Sequence, residues 1–116
     1  MAHCVFCGIA AGTEPARLLH EDGDVVAFHD INPQAPVHVL IIPREHIATV
    51  ADIEPRHAPV LGQLHLVARD LARQLGVART GYRTLFNCGR DAGQSVWHIH
   101  LHLLAGRPMG WPPWPR

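Results

Sequence analysis

Residues 98–104 run His-Ile-His-Leu-His-Leu-Leu, and this alternation constrains the chain more than any other feature. Along a strand, successive side chains point to opposite faces. His98, His100 and His102 therefore share one side, while Ile99, Leu101 and Leu103 share the other. At about 3.3 Å of rise per residue, neighbouring imidazoles stand about 6.6 Å apart at the backbone, near enough for the rings to lean onto one ligand. Residues 96–104 thus read as a strand with an apolar back and a row of groups that titrate near neutrality. Packing alone does not select three imidazoles on one face, because each brings a donor and an acceptor that need partners when buried. Two chemistries fit the row: a zinc site, or a phosphate site with histidine as nucleophile.

The remaining elements build a sheet around that strand. Phe6 to Ala11 reads as a short helix stopped by Gly12. Arg17–His20 and Val25–Asp30 read as strands around the turn Glu21-Asp22-Gly23-Asp24. After the breaker Asn32-Pro33-Gln34-Ala35-Pro36, the run Val37–Pro43 is apolar enough for a strand buried on both faces, which makes His38 within it conspicuous. From Pro59, a stripe of Val60, Leu61, Leu64, Val67, Ala68, Leu71, Ala72 and Leu75 recurs at helical spacing. Pro59 suits the first turn and Gly76 the C-terminal cap. Tyr82–Asn87 is the next strand, followed by the loop Gly89-Arg90-Asp91-Ala92-Gly93-Gln94-Ser95. Short turns with one long helix as crossover imply an α+β fold: five antiparallel strands with one long and one short helix.

Composition narrows the function classes. A chain of 116 residues, 47% hydrophobic, suits one domain over residues 1–116 with one packed core. Ten acidic and ten basic residues cancel, so no global field recruits nucleic acid or an anionic membrane. No apolar run approaches the roughly 20 residues of a membrane helix. The first residues lack a secretory pattern, which places the expectation in the cytoplasm. Cys4, Cys7 and Cys88 are an odd set for a disulfide framework. The Cys4-Val5-Phe6-Cys7 spacing suits half a zinc site better than a redox pair, since no βαβ unit precedes it. Cys88 is expected to be a small buried hydrophobe. His3, His20, His29, His57 and His65 have no partner that the sequence suggests. The glycine loop separates the two readings of the histidine row. Gly89 and Gly93 let backbone amides approach an anion, and Ser95 adds a hydroxyl, which favours phosphate.

The run His98-Ile99-His100-Leu101-His102-Leu103-Leu104 resembles the signature of the histidine triad (HIT) family. Similarity to its Hint branch extends through Phe28–His38, Ile42–Ile47, Asn87, Gly93–Val96 and Arg107–Pro113. The resemblance implies a HIT-like fold with sheets joined across a homodimer. It also implies a hydrolase of nucleoside monophosphate derivatives, notably adenosine phosphoramidates, with AMP- or GMP-type purine nucleotides as ligands. Carried over by position, His100 attacks the α-phosphorus to form a nucleotidyl-imidazole, and His98 and His102 flank it. Asp30 and Ile31 take the positions that hold ribose and purine. Asn87, Gly93, Gln94 and Ser95 take those of the loop that contacts phosphate and sugar. His38 is expected in the network that orients the nucleophile, and Ser95 or His102 relays a proton to the leaving group. His102 favours hydrolysis, because transferase branches carry Gln there.

By the same resemblance, Cys4, Cys7, His46 and His98 form a structural zinc site, while the chemistry at phosphorus needs no metal or other cofactor. The Trp/Pro-rich tail, residues 107–116, lies near the active site or the dimer interface, and the apolar helix with Tyr82–Phe86 forms that interface. Two rival functions remain: a non-catalytic nucleotide-binding regulator of the same fold, and a metal-handling protein whose three histidines are zinc ligands.

Overall fold

The computed structural model describes residues 4–114, so His3 and the last two tail residues lie outside it. Helix α1 (Val5–Ala11) ends where Gly12 turns left-handed at φ 79°, its N–H capping the carbonyls of Gly8 and Ile9. Strands β1 (Leu18–Glu21) and β2 (Val25–His29) form the expected hairpin, and β3 (Val37–Pro43) follows the proline-rich break. Two 3₁₀ turns, Val50–Asp52 and Pro55–His57, lead into α2 (Ala58–Gln74). Strands β4 (Tyr82–Leu85) and β5 (Leu101–Ala105) complete one antiparallel sheet in the order β1-β2-β3-β5-β4.

Its two faces follow the period-two pattern. Val25, Ala27, Val39, Ile41, Leu101 and Leu103 point toward α2 and pack on its Leu64, Val67, Ala68 and Leu71. Each fully buried leucine of that stripe contributes about 1.5–3 kcal/mol over an exposed one. The alternate residues Val26, Phe28, Leu40 and Ile42 face α1, where Phe6 and Ala10 cover them. Strand β3 is thus buried on both sides, as its apolar run implies. His38, sharing parity with Leu40 and Ile42, lies on the α1 side.

Arg44 ties α1 to the β1–β2 turn, donating from Nε to the Asp22 carbonyl at 2.6 Å and from Nη1 to the Ala10 carbonyl. That clamp matters because α1 forms one wall of the site. Among the described residues, no helix is long and apolar enough to cross a membrane.

Three expectations are corrected. Residues 96–104 do not form one strand, since the ladder begins only at Leu101, opposite Ile41 of β3. Past that pair the chain's bonding groups go elsewhere: Ile99 N–H reaches the Ile47 carbonyl at 2.8 Å, and the Pro43 carbonyl accepts from the His98 ring. Strand β4 likewise ends at Leu85 rather than Asn87. Cys88 is exposed, not buried.

Candidate active site

The alternation survives although the ladder stops short. Leu101 and Leu103 join the α2 core, while the three imidazoles lie on the α1 side. The His100 ring is 5.1 Å from Phe6 and 4.9 Å from His102, centroid to centroid, and the His98 ring is 6.0 Å from Phe6.

Hydrogen bonds set the tautomers. His100 donates Nδ1–H to the His98 carbonyl at 2.8 Å, which leaves Nε2 as the free lone pair of a ring that lines the cleft. Gln34 N–H donates to His38 Nδ1 at 3.0 Å, so the proton of His38 resides on Nε2. That proton is given to His102 Nδ1 at 2.9 Å, with the Asp30 carboxylate 3.3 Å from the same nitrogen. His102 therefore carries its own proton on Nε2, a buried nitrogen with no hydrogen-bond partner among the described residues. The orienting network foreseen for His38 exists, but it acts on His102. The nucleophile candidate is oriented by the backbone two residues before it.

Burial keeps these rings neutral. It holds His100 below the usual imidazole range, against the pull of the hydrogen bond to His98. His102 is pushed down to about 4, chiefly by burial and then by His100 and His38. Burial lowers His38 too, with the Asp30 carboxylate pulling the other way. A neutral imidazole with a lone pair on a cleft is a competent nucleophile.

The cleft encloses about 940 Å³. Phe6, Ile9 and Phe28 make one end apolar, a surface suited to a flat heterocycle, and His38, His100 and His102 line another wall. Asp30, Ile31 and Ser95 border it, with Ile31 fully exposed on the rim.

Asn87, Gly93 and Gln94 do not line the cleft. Gln94 is turned inward: its Nε2 donates to the carbonyls of Ala48 and Val96, and its Oε1 accepts from Gly89 N–H. Gly93 N–H and Gln94 N–H close on the carbonyls of Arg90 and Gly89. The expected amide cradle therefore spends its donors on its own turn, and Ser95 alone of these four predicted loop residues reaches the cleft. The aromatic wall from α1 was missed by sequence reasoning. Phe6 and Ile9 lie three apart on the helix, which was the available signal.

A second constellation adjoins the first through His98. Cys4 Sγ, Cys7 Sγ, His46 Nδ1 and His98 Nδ1 all lie within 4.8 Å of one another. A tetrahedral zinc ion, with Zn–S about 2.3 Å and Zn–N about 2.05 Å, spans N···N edges of about 3.3 Å and N···S edges of about 3.6 Å. The cluster shows 3.3 Å between the two imidazole nitrogens. It shows 3.3 Å from Cys7 to His46, and 3.5 and 3.6 Å from His98 to Cys4 and Cys7. His98 donates Nε2–H to the Pro43 carbonyl at 2.8 Å, which directs the Nδ1 lone pair into the cluster. These four residues fit zinc. Asp30, His38 and His102 also converge, but 2.9 Å between two imidazole nitrogens is a hydrogen bond, shorter than a zinc edge. Of the remaining histidines, His20 pairs with Asp22 at 2.7 Å and buried His57 with Glu45 at 3.0 Å, while His65 packs edge-on to Phe86.

Comparison with known proteins agrees with this geometry. Residues 3–110 match the family described as "Scavenger mRNA decapping enzyme C-term binding". The purine nucleoside phosphoramidase of Escherichia coli (strain K12) is 46% identical over 106 residues, covering 91% of this chain and 89% of that protein. The crystal structure of a HIT family hydrolase from Legionella pneumophila Philadelphia 1 superposes with a TM-score of 0.94 at 49% identity, over 96% of this chain and 99% of that one. A Zn-bound histidine triad family protein from Mycobacterium smegmatis superposes at 0.77 with 34% identity, over 90% and 75%. With three imidazoles on the α1 side of the sheet, two of them lining the cleft, and relatives of this likeness across nearly its whole length, the chain belongs to the histidine triad family.

Proposed function

We propose that the protein, a single domain over residues 1–116, hydrolyses purine nucleoside phosphoramidates, adenosine before guanosine, through a covalent nucleotidyl-histidine. The observation that carries this reading is the His100 ring. Its Nδ1 is tethered to the His98 carbonyl, and its Nε2 carries the lone pair beside a cleft with an apolar end. The base packs against Phe6 and Phe28, Ile31 closes over it, and Asp30 accepts from the ribose hydroxyls. His100 Nε2 attacks phosphorus and the bond to the leaving nitrogen breaks; water then splits the nucleotidyl-imidazole to release the monophosphate. Ser95 and the Nε2–H of His102 donate to the phosphoryl oxygens and the departing nitrogen. The anionic substrate opposes the burial that depresses His102, which lets that ring carry a proton in the complex. Asn87, Gly93 and Gln94 shape the loop that presents Ser95.

Cys4, Cys7, His46 and His98 hold a structural zinc ion, which when bound cross-links α1 to the segment that carries His100. The chain acts in the cytoplasm as a homodimer joined through α2 and the β4 edge, with the tail beside the site. A monomeric mass by light scattering at micromolar concentration would contradict that assembly.

The decisive experiment is His100→Ala with a fluorogenic adenosine phosphoramidate. Turnover is expected to vanish while AMP still binds, and retained turnover refutes the mechanism. Absence of turnover in the wild-type protein, with AMP bound, selects the alternative of a non-catalytic nucleotide-binding regulator.

A further inference from the structure

Cys4 and Cys7 open helix α1 and take no part in the proposed chemistry at phosphorus. Cys4 is the N-cap, extended at φ −111° and ψ 112°, and its Sγ accepts from Cys7 N–H at 3.3 Å. The two thiols thus share one helical turn, where positions three apart are neighbours, and their sulfurs lie within 4.8 Å. Two cysteines separated by two residues have the spacing of dithiols that open and close reversibly. The cluster around them is lopsided. His98 is fully buried and meets both sulfurs, at 3.5 and 3.6 Å, while exposed His46 meets Cys7 at 3.3 Å. The Cys7–His46 edge is therefore the side open to solvent, and neither cysteine lines the cleft.

A sequence in which half a zinc site competes with a redox pair does not have to choose, because the same sulfurs serve as either in turn. On a tetrahedral zinc ion the two sulfurs stand about 3.8 Å apart, from Zn–S of about 2.3 Å. In a disulfide they stand about 2.05 Å apart. One pair cannot hold the ion and be bonded to itself. We propose that Cys4 and Cys7 are a peroxide-sensitive modification site, where oxidation joins the two sulfurs and ejects the zinc ion. This rests on the zinc reading of Cys4, Cys7, His46 and His98 given above. The Cys7 thiolate, on the open edge, attacks one peroxide oxygen; the O–O bond breaks, hydroxide leaves, and the sulfur becomes a sulfenic acid. The Cys4 thiolate then attacks that sulfur, the S–S bond forms and the S–O bond breaks, releasing a second hydroxide. Two protons from solvent turn both hydroxides into water. The peroxide is reduced by two electrons and the sulfur pair is oxidised by two. With its thiolate ligands consumed, the ion passes to solvent.

The exchange changes what α1 is fastened to. The zinc site ties the helix to residues 46 and 98, whereas the disulfide ties its first turn only to itself. Phe6 keeps its edge-on contacts with Phe28 at 5.4 Å and His100 at 5.1 Å, and Arg44 keeps the Ala10 carbonyl, so the helix stays in place with less to brace it. Phe6 and Ile9 are the α1 wall of the cleft, and a looser wall binds nucleotide less tightly. His98 retains the Pro43 carbonyl, and its own carbonyl retains His100 Nδ1–H. Oxidation therefore raises KM and leaves kcat nearly unchanged.

The test uses the zinc-loaded Cys88→Ser protein, whose only thiols are Cys4 and Cys7. Hydrogen peroxide is expected to release an equimolar amount of zinc to a chromophoric chelator. In step, the intact mass falls by two hydrogens and peptide mapping joins residues 4 and 7. A dithiol reductant with added zinc reverses both changes. When Cys4→Ser is added, oxidation stops at a sulfenic acid on Cys7, which dimedone traps. AMP affinity of the oxidised protein, by calorimetry, falls about two- to ten-fold, the scale of re-ordering a loosened side chain on binding, and recovers on reduction. Zinc retained under peroxide, or released without the loss of two hydrogens, overturns the site. AMP affinity indifferent to oxidation overturns the role given to the α1 tie. A protein that takes up no zinc when supplied with it overturns the zinc reading beneath both.

Discussion

His38 offers the sharpest test of how the histidines cooperate, because it never touches the nucleophile. Its Nδ1 accepts from Gln34 N–H at 3.0 Å, and its Nε2 donates to His102 Nδ1 at 2.9 Å. Replacing His38 with Ala removes both partners. His102 Nδ1, on a half-buried ring, loses its donor, and the proton on Nε2 is no longer enforced. Leaving one buried polar group unsatisfied costs about 1–3 kcal/mol. If that falls on the transition state it lowers kcat about 5- to 150-fold. In the proposed binding mode the Phe6 and Phe28 wall stays in place and only Asp30 loses a neighbour, the ring 3.3 Å from its carboxylate, so KM for an adenosine phosphoramidate should move less than kcat. His38→Gln, whose amide can donate toward His102, should recover part of the loss. Steady-state turnover gives the split, and nitrogen-15 shifts of the His102 ring report which nitrogen holds the proton. If His38→Ala melts lower yet keeps its kcat, and its His102 tautomer is unchanged, then His38 is packing and the relay is wrong.

Other consequences concern acid and metal. His102 is pushed down to about 4 in the folded protein, against about 6.5 when unfolded, so the unfolded chain binds more protons between those values. The stability from keeping this ring neutral is complete above pH about 6.5 and is lost as pH falls toward 4, by up to about 3 kcal/mol at about 1.4 kcal/mol per pKa unit. His38, lowered by burial, adds to the same trend. Denaturant melts at stepped pH should show it, and a flat profile from pH 7 to 4.5 would count against buried neutral imidazoles. Chelation or Cys7→Ser is expected to lower Tm by roughly 10 °C, from about 2.7 kcal/mol of linkage at zinc a hundred-fold above its Kd, while initial turnover persists at low temperature. Immediate loss of turnover on chelation, with the fold intact by circular dichroism, would place the metal in the chemistry.

What the sequence made legible was whatever repeats with a short period. The His-φ-His alternation assigned its faces correctly, the α2 stripe at Leu64, Val67, Ala68 and Leu71 is the buried face, and β3 spans the residues its apolar run implied. Gly12 and Gly76 both adopt positive φ at the helix ends. What escaped was set by partners far along the chain. Nothing local to residues 96–100 announces that Ile47 takes the Ile99 amide, or that the Pro43 carbonyl takes a side chain where a ladder bond would continue. Gln94 is the same kind of miss. Its motif position suggests a ligand contact, but whether a carboxamide faces a cleft or braces Ala48, Val96 and Gly89 depends on where a segment 46 residues upstream runs.

The two constellations meet in one residue, and that explains why the ladder stops where it does. His98 commits three groups at once: Nδ1 to the cysteine cluster, Nε2–H to Pro43, and its carbonyl to the Nδ1–H of His100. A regular ladder through residue 98 would need that carbonyl, and the one on Pro43, for strand pairing. Ending the sheet at Leu101 frees both, so the backbone that would have extended β5 instead fixes the tautomer of His100 and the direction of His98. Anything that displaces the His98 ring therefore tilts the carbonyl two residues before the nucleophile. A cluster whose cysteines do not line the cleft is thus coupled to His100 through a single peptide unit.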